Sequence, residues 1–116
     1  MRRRLICVAV VSATVLVVSG QSGKARAASF DCKNASNMVE RLICTDPDLS
    51  QMDERLATAY SAARSQSADS KKLRSEQLAW ISQRNHCLTA ACVSESYNKR
   101  LAELGGRVAD DRDERR

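Results

Sequence analysis

The sequence predicts an all-α fold: a small disulfide-stapled bundle of about four helices, one short and three longer, following a signal peptide. Three observations predict it. Apolar residues after the first 27 positions recur at spacings of three and four, and no alternating, β-rich segment interrupts them. Helix-start signals punctuate that pattern at Asp46-Pro47, at Asp69 or Ser70, and at Thr89. Four cysteines, Cys32, Cys44, Cys87 and Cys92, lie in two closely spaced pairs behind an export leader, and exported thiols meet an oxidising compartment.

The leader is residues 1–27. Arg2, Arg3 and Arg4 form a positive start, Leu5 to Val18 is apolar apart from Ser12 and Thr14, and Ala25-Arg26-Ala27 is a small-x-small cleavage site. The apolar run is shorter than the roughly 18 to 20 residues of a spanning helix, so cleavage is expected to leave no stable membrane anchor. Cys7 leaves with the leader, and the fifth cysteine then needs no partner. The expected location is periplasmic or secreted.

The first, short helix is expected from about Ser36 to Cys44, with Met38, Val39, Leu42 and Ile43 as its apolar set. Asp46 then serves as N-cap and Pro47 as first helical residue, because proline lacks the N–H that a helix start leaves unpaired anyway. The second helix carries Leu49, Met52, Leu56, Tyr60 and Ala63 along one stripe and ends in the polar stretch Ser65 to Ser70. A third helix presents Leu73, Gln77, Trp80, Ile81 and Arg84 and stops near Cys87. A fourth uses Val93, Tyr97, Leu101 and Leu104, with Gly105-Gly106 expected as its C-terminal stop. Residues 107–116 are mostly charged and are expected to form a disordered tail, leaving 28–106 as the helical domain.

That domain is small. Of 116 residues, 89 follow the leader, and these include only four aromatics: Phe30, Tyr60, Trp80 and Tyr97. A core of this size is marginal without cross-links. Four cysteines allow three pairings, and the sequence does not choose among them. Geometry favours local bridges. A continuous helix would hold Cys32 and Cys44 about 18 Å apart, against the ~7 Å that a disulfide tolerates. Local pairing would require Cys32 to lie on a segment folding back along the first helix, and Cys87 and Cys92 to bridge across the break that Thr89 introduces; Cys32–Cys44 and Cys87–Cys92 are therefore the preferred pairs.

Charge excludes one class of partner. Five of the 19 Lys and Arg lie in the leader, leaving 14 against 14 Asp and Glu, so the mature chain is neutral and lacks the basic footprint of a nucleic-acid binder. The distribution is uneven. Residues 31–54 hold six acids (Asp31, Glu40, Asp46, Asp48, Asp53, Glu54) against Lys33 and Arg41, whereas residues 55–84 hold six bases against Asp69 and Glu76. Asp46, Asp48 and Glu54, near the start of the second helix, are candidate partner-binding residues, although acids in a first turn also stabilise the helix dipole.

Catalytic signals are weak, and the chain is not expected to be an enzyme. His86 is the only histidine and no triad spacing is present. Its neighbour Cys87 would make a Cys–His nucleophile only as a thiolate, and export favours oxidation instead. The same reasoning sets disulfides above a zinc site. No glycine-rich phosphate loop occurs, and no cofactor or metal is expected. Gln77, Trp80 and Arg84 share a helix face; folding the second and third helices as an antiparallel hairpin brings Asp53 within reach of Arg84. With Tyr60 and Tyr97 these residues are read as architectural.

The ordered set Phe30-Asp-Cys32, Val39-Glu-Arg-Leu-Ile-Cys44, Asp46-Pro-Asp-Leu49, Asp53, Tyr60, Glu76-Gln77, Trp80, Arg84, Cys87, Cys92, Tyr97, Arg100 and Leu104 resembles the N-terminal domain family named for the LprI lysozyme inhibitor. The resemblance covers nearly all of the expected mature domain. It implies a helical, disulfide-bonded bacterial envelope protein that inhibits lysozyme by binding, with a lysozyme or another envelope protein as partner. The name-giving members are lipoproteins, whereas the expected cleavage site here carries no lipid-attachment box. The alternative is a non-enzymatic envelope module that binds another protein or a cell-wall component.

Overall fold

The computed structural model describes residues 29–116; the leader and its cleavage site lie outside the described residues. A single 3-10 turn (Cys32–Asn34) precedes four helices: α1 (Met38–Thr45), α2 (Pro47–Gln66), α3 (Ser70–Arg84) and α4 (Ala90–Asp113), with no strand among the described residues.

Each helix begins where a side chain satisfies the free N–H groups of its first turn. Asn37 accepts from the Glu40 amide at 2.9 Å, while the Glu40 carboxylate reaches back to the amide and hydroxyl of Ser36. These Ser36 bonds, the amide's foremost, hold Glu40 below the usual carboxylate range. Asp46 caps α2 through the amides of Asp48 and Leu49, with Pro47 as the first helical residue. Asp69 caps α3 through Lys72, and Thr89 accepts from the Cys92 amide at the start of α4. The expected starts of α2, α3 and α4 are therefore observed, and α1 starts two residues later than its apolar pattern indicated.

The C-terminus differs from expectation. Gly105-Gly106 does not stop α4, which runs on to Asp113 through the segment expected to be a tail. Glycine ends a helix by adopting a left-handed conformation, and neither glycine does so. An exposed helical glycine costs only about 1 kcal/mol relative to alanine, which flanking contacts can offset. Arg107 pairs with Glu76 of α3, and the Arg115 guanidinium donates to the Gln66 carbonyl at the end of α2.

The core draws on every helix: Val39 and Ile43 from α1, Leu49, Leu56 and Ala63 from α2, Leu73 and Trp80 from α3, and Val93, Tyr97 and Leu104 from α4. Met38, part of the expected apolar set of α1, is exposed. The main partner of α2 is α4 rather than its sequence neighbour α3. Met52 meets Ser94 and Asp53 meets Tyr97, so α2 and α4 run parallel. Arg84 meets Tyr97 and Gln77 meets Arg100, so α3 runs antiparallel to α4. The starts of α2 and α4 consequently lie at the same end of the bundle.

Two disulfides close the fold locally, Cys32–Cys44 with Cα atoms 5.8 Å apart and Cys87–Cys92 at 5.6 Å. The first pins the N-terminal segment along α1, and the second closes the turn between α3 and α4.

Candidate functional site

The residues that carry the family pattern converge on one polar cluster inside the bundle. Tyr97 donates its hydroxyl to Asp53 Oδ1 at 2.7 Å and accepts from Arg84 Nη1 at 2.9 Å. Arg84 and Asp53 approach directly only to 3.9 Å, with each side chain 6% exposed, so the phenol oxygen links the two charges. The other Asp53 oxygen accepts from both the amide and the hydroxyl of Ser29, at 2.7 and 2.6 Å. Arg84 also donates through Nε and Nη2 to Asn85 Oδ1. Burial, reinforced by the bond donated to Asp53, pushes the Tyr97 phenol well above its ordinary value against the opposing influence of Arg84. The hydroxyl thus stays protonated, and it stays a donor.

Trp80 walls this cluster. Its ring meets Tyr97 edge-on at 5.3 Å and lies 5.4 Å from the Arg84 guanidinium, while its N–H donates to the Ser96 carbonyl. A second buried guanidinium sits further along the bundle. Arg100, its side chain only 4% exposed, donates through Nε to Gln77 Oε1 at 3.0 Å and through Nη1 to the more exposed Glu103. Gln77 thus supplies an acceptor to a buried cation. Tyr60 stands apart, half-buried on α2 with Arg64 over its ring.

The expected approach of Asp53 to Arg84 is met, with a bridging hydroxyl that sequence reasoning did not supply. It also assigned no role to Ser29 or Arg100. Ser29 gives no signal beyond its place beside the expected cleavage site, and Arg100 stood out only as part of the family pattern. Asp53, Arg84, Gln77 and Arg100 are all buried. Arg84 and Asp53 are both buried, and breaking such a pair by deleting one partner costs about 3 to 5 kcal/mol. Their arrangement suits holding helices in register.

The surface residues are organised differently. Asp46 is half-buried and its Oδ1 is occupied as the α2 cap, whereas Asp48 and Glu54 are exposed. Six residues along a helix of 3.6 per turn rotate Glu54 roughly 120° away from Asp48, so the three acids surround the start of α2 without forming one flat patch. The exposed bases Lys71, Lys72 and Arg74 open α3 at the opposite end of the bundle. His86 has Nδ1 2.8 Å from the Ser82 carbonyl, and the sulfur of its neighbour Cys87 is bonded to Cys92. A thiolate nucleophile is thereby excluded at Cys87. A shallow groove of about 430 Å³ runs between α3 and α4, lined by Trp80, Gln83, Glu95 and Lys99 among others. No helix among the described residues is long and apolar enough to cross a membrane.

Fold and site together define a small all-helical domain among the described residues, closed by two disulfides and crossed by buried polar contacts between its helices. The chain belongs to the lysozyme inhibitor LprI family, whose model matches residues 32–105. Relatives described as Lipoprotein LprI, from Mycobacterium bovis and Mycobacterium tuberculosis, are each 35% identical over 86 residues, covering 71% of this chain. The matched region is 42% of those relatives, so the chain spans less than half the length of the curated proteins it matches. No solved structure matches it.

Proposed function

We propose that this protein is an exported, non-enzymatic envelope protein, periplasmic or secreted, that inhibits a lysozyme by binding it. The observation that carries the reading is family membership across residues 32–105, which takes in both disulfides and both buried guanidinium clusters. Export rests on the charged, apolar and small-residue pattern of the first 27 positions. Asp46, Asp48 and Glu54 supply the attraction. Animal-type lysozymes are generally basic, and exposed acids near the start of α2 favour the approach of such an enzyme to that part of the surface. The protein brings no chemistry of its own: it occupies the enzyme.

The test is a turbidity assay on cell-wall substrate, with the oxidised protein titrated against a basic lysozyme. Inhibition that saturates near equimolar ratio at low salt and weakens as salt rises is the expected result. Unchanged lysis at a large molar excess removes the reading. The groove between α3 and α4 favours a second reading, an envelope module that binds a cell-wall component at Trp80, Gln83, Glu95 and Lys99. Sedimentation of the protein with purified cell wall in the absence of any lysozyme distinguishes it.

A further inference from the structure

We propose that the disulfide-closed turn Cys87–Cys92, with Leu88 at its tip, is the element that enters the cleft of a basic lysozyme; this rests on the inhibitor reading above and names its contact. Leu88 is 80% exposed, well beyond Leu78 at 57% and Met38 at 42%, the other exposed large apolar side chains among the described residues. Turns ordinarily place glycine, asparagine, aspartate or serine in such positions. Here the apolar tip is also held from both sides. Cys87 is buried in the core and donates its amide to the Arg84 carbonyl, His86 donates to Gln83, and Thr89 caps α4. The Cys87–Cys92 bond closes the ring. Such a tip loses little conformational freedom when it docks, and preorganisation of this kind is what makes a small contact bind tightly.

The position of the turn matches the charge. Helices α2 and α4 run parallel with Ser94 against Met52, so Leu88, six residues before Ser94, is about level with Asp46, six residues before Met52. An apolar projection therefore stands at the end of the bundle where Asp48 is exposed. That division of labour fits the enzyme. A lysozyme cleft holds two carboxylates, one of them in a hydrophobic pocket, so an acidic plug would be repelled and a leucine would not. The acids fit the basic surface around the cleft.

The experiment compares wild type, Leu88→Asp and Leu78→Asp in the lysis assay, with circular dichroism and intact mass checking fold and both disulfides. Both leucines are exposed, so both variants are expected to fold. Burial of a leucine side chain corresponds to roughly a tenfold to hundredfold change in affinity, so Leu88→Asp should raise the concentration for half-inhibition at least about tenfold. Leu78→Asp should leave it unchanged. Lysozyme whose cleft is already filled with a short N-acetylglucosamine oligomer should no longer bind the wild-type protein. If wild type inhibits and Leu88→Asp inhibits equally, or if the filled enzyme still binds, the turn is not the inserted element and the inhibitor reading stands. Equal weakening by both variants overturns the assignment to Leu88 in the same way. If wild type does not inhibit at all, the inhibitor reading fails and takes this one with it.

Discussion

Replacing Tyr97 with phenylalanine removes one oxygen from the buried cluster and leaves the ring where it packs, edge-on to Trp80 at 5.3 Å. Two hydrogen bonds disappear, one donated to Asp53 at 2.7 Å and one accepted from Arg84 at 2.9 Å. Bonds to charged groups contribute about 1.5 to 3 kcal/mol each, which bounds the loss near 3 to 6 kcal/mol. The lower half of that range is expected, because Arg84 and Asp53 are already 3.9 Å apart and can close on each other once the hydroxyl is gone. A loss of about 3 to 4 kcal/mol is a large share of the stability of a domain this size. Urea unfolding with the disulfides intact should show the midpoint falling while the slope stays constant. Asp53→Asn combined with Tyr97→Phe should lose less than the two single losses added together, since both act on one network. A loss below about 1 kcal/mol, or strict additivity, would show that the hydroxyl does not join the two charges.

The same phenol makes stability depend on alkaline pH. Its pKa is raised in the folded state, so its contribution is complete below the ordinary tyrosine value near 10 and declines as pH rises beyond it; the decline in midpoint above about pH 10 should be smaller in Tyr97→Phe. Removing Cys32–Cys44 by paired serine substitution should cost about 3 kcal/mol, and removing Cys87–Cys92 about 2 kcal/mol, on the loop-entropy account, read from the same unfolding curves. Gly105→Ala should stabilise by about 1 kcal/mol, because α4 continues through that position and a Cβ there meets nothing within 4 Å; no gain in thermal midpoint would argue that the helix ends at the glycine pair.

Local signals were legible, and of the long-range contacts only the approach of Asp53 to Arg84 was. The caps at Asp46, Asp69 and Thr89 were readable because each is a contact between residues two or three apart. The disulfides were readable because each joins cysteines at most 12 residues apart, where chain reach limits the options. The candidate acids were only half legible. Their position at the start of α2 follows from sequence, whereas their spread around the helix follows from its turn angle. Gly105-Gly106 misled because glycine lowers helix propensity by an amount that a distant ion pair, Arg107 with Glu76, can offset.

By itself, the amino-acid order determined that the chain is helical and where three of its helices begin, and it favoured short loops between its cysteines, a pairing that the structure decided. Those outcomes depend on hydrogen bonds and chain lengths within a few residues. Only the tertiary structure decided that α2 lies chiefly against α4, that Tyr97 stands between Asp53 and Arg84, that Ser29 completes the same carboxylate, and that Leu88 shares an end with the acids. These contacts join residues up to 44 positions apart. They depend on how whole helices align, and no local pattern carries the energy of that alignment.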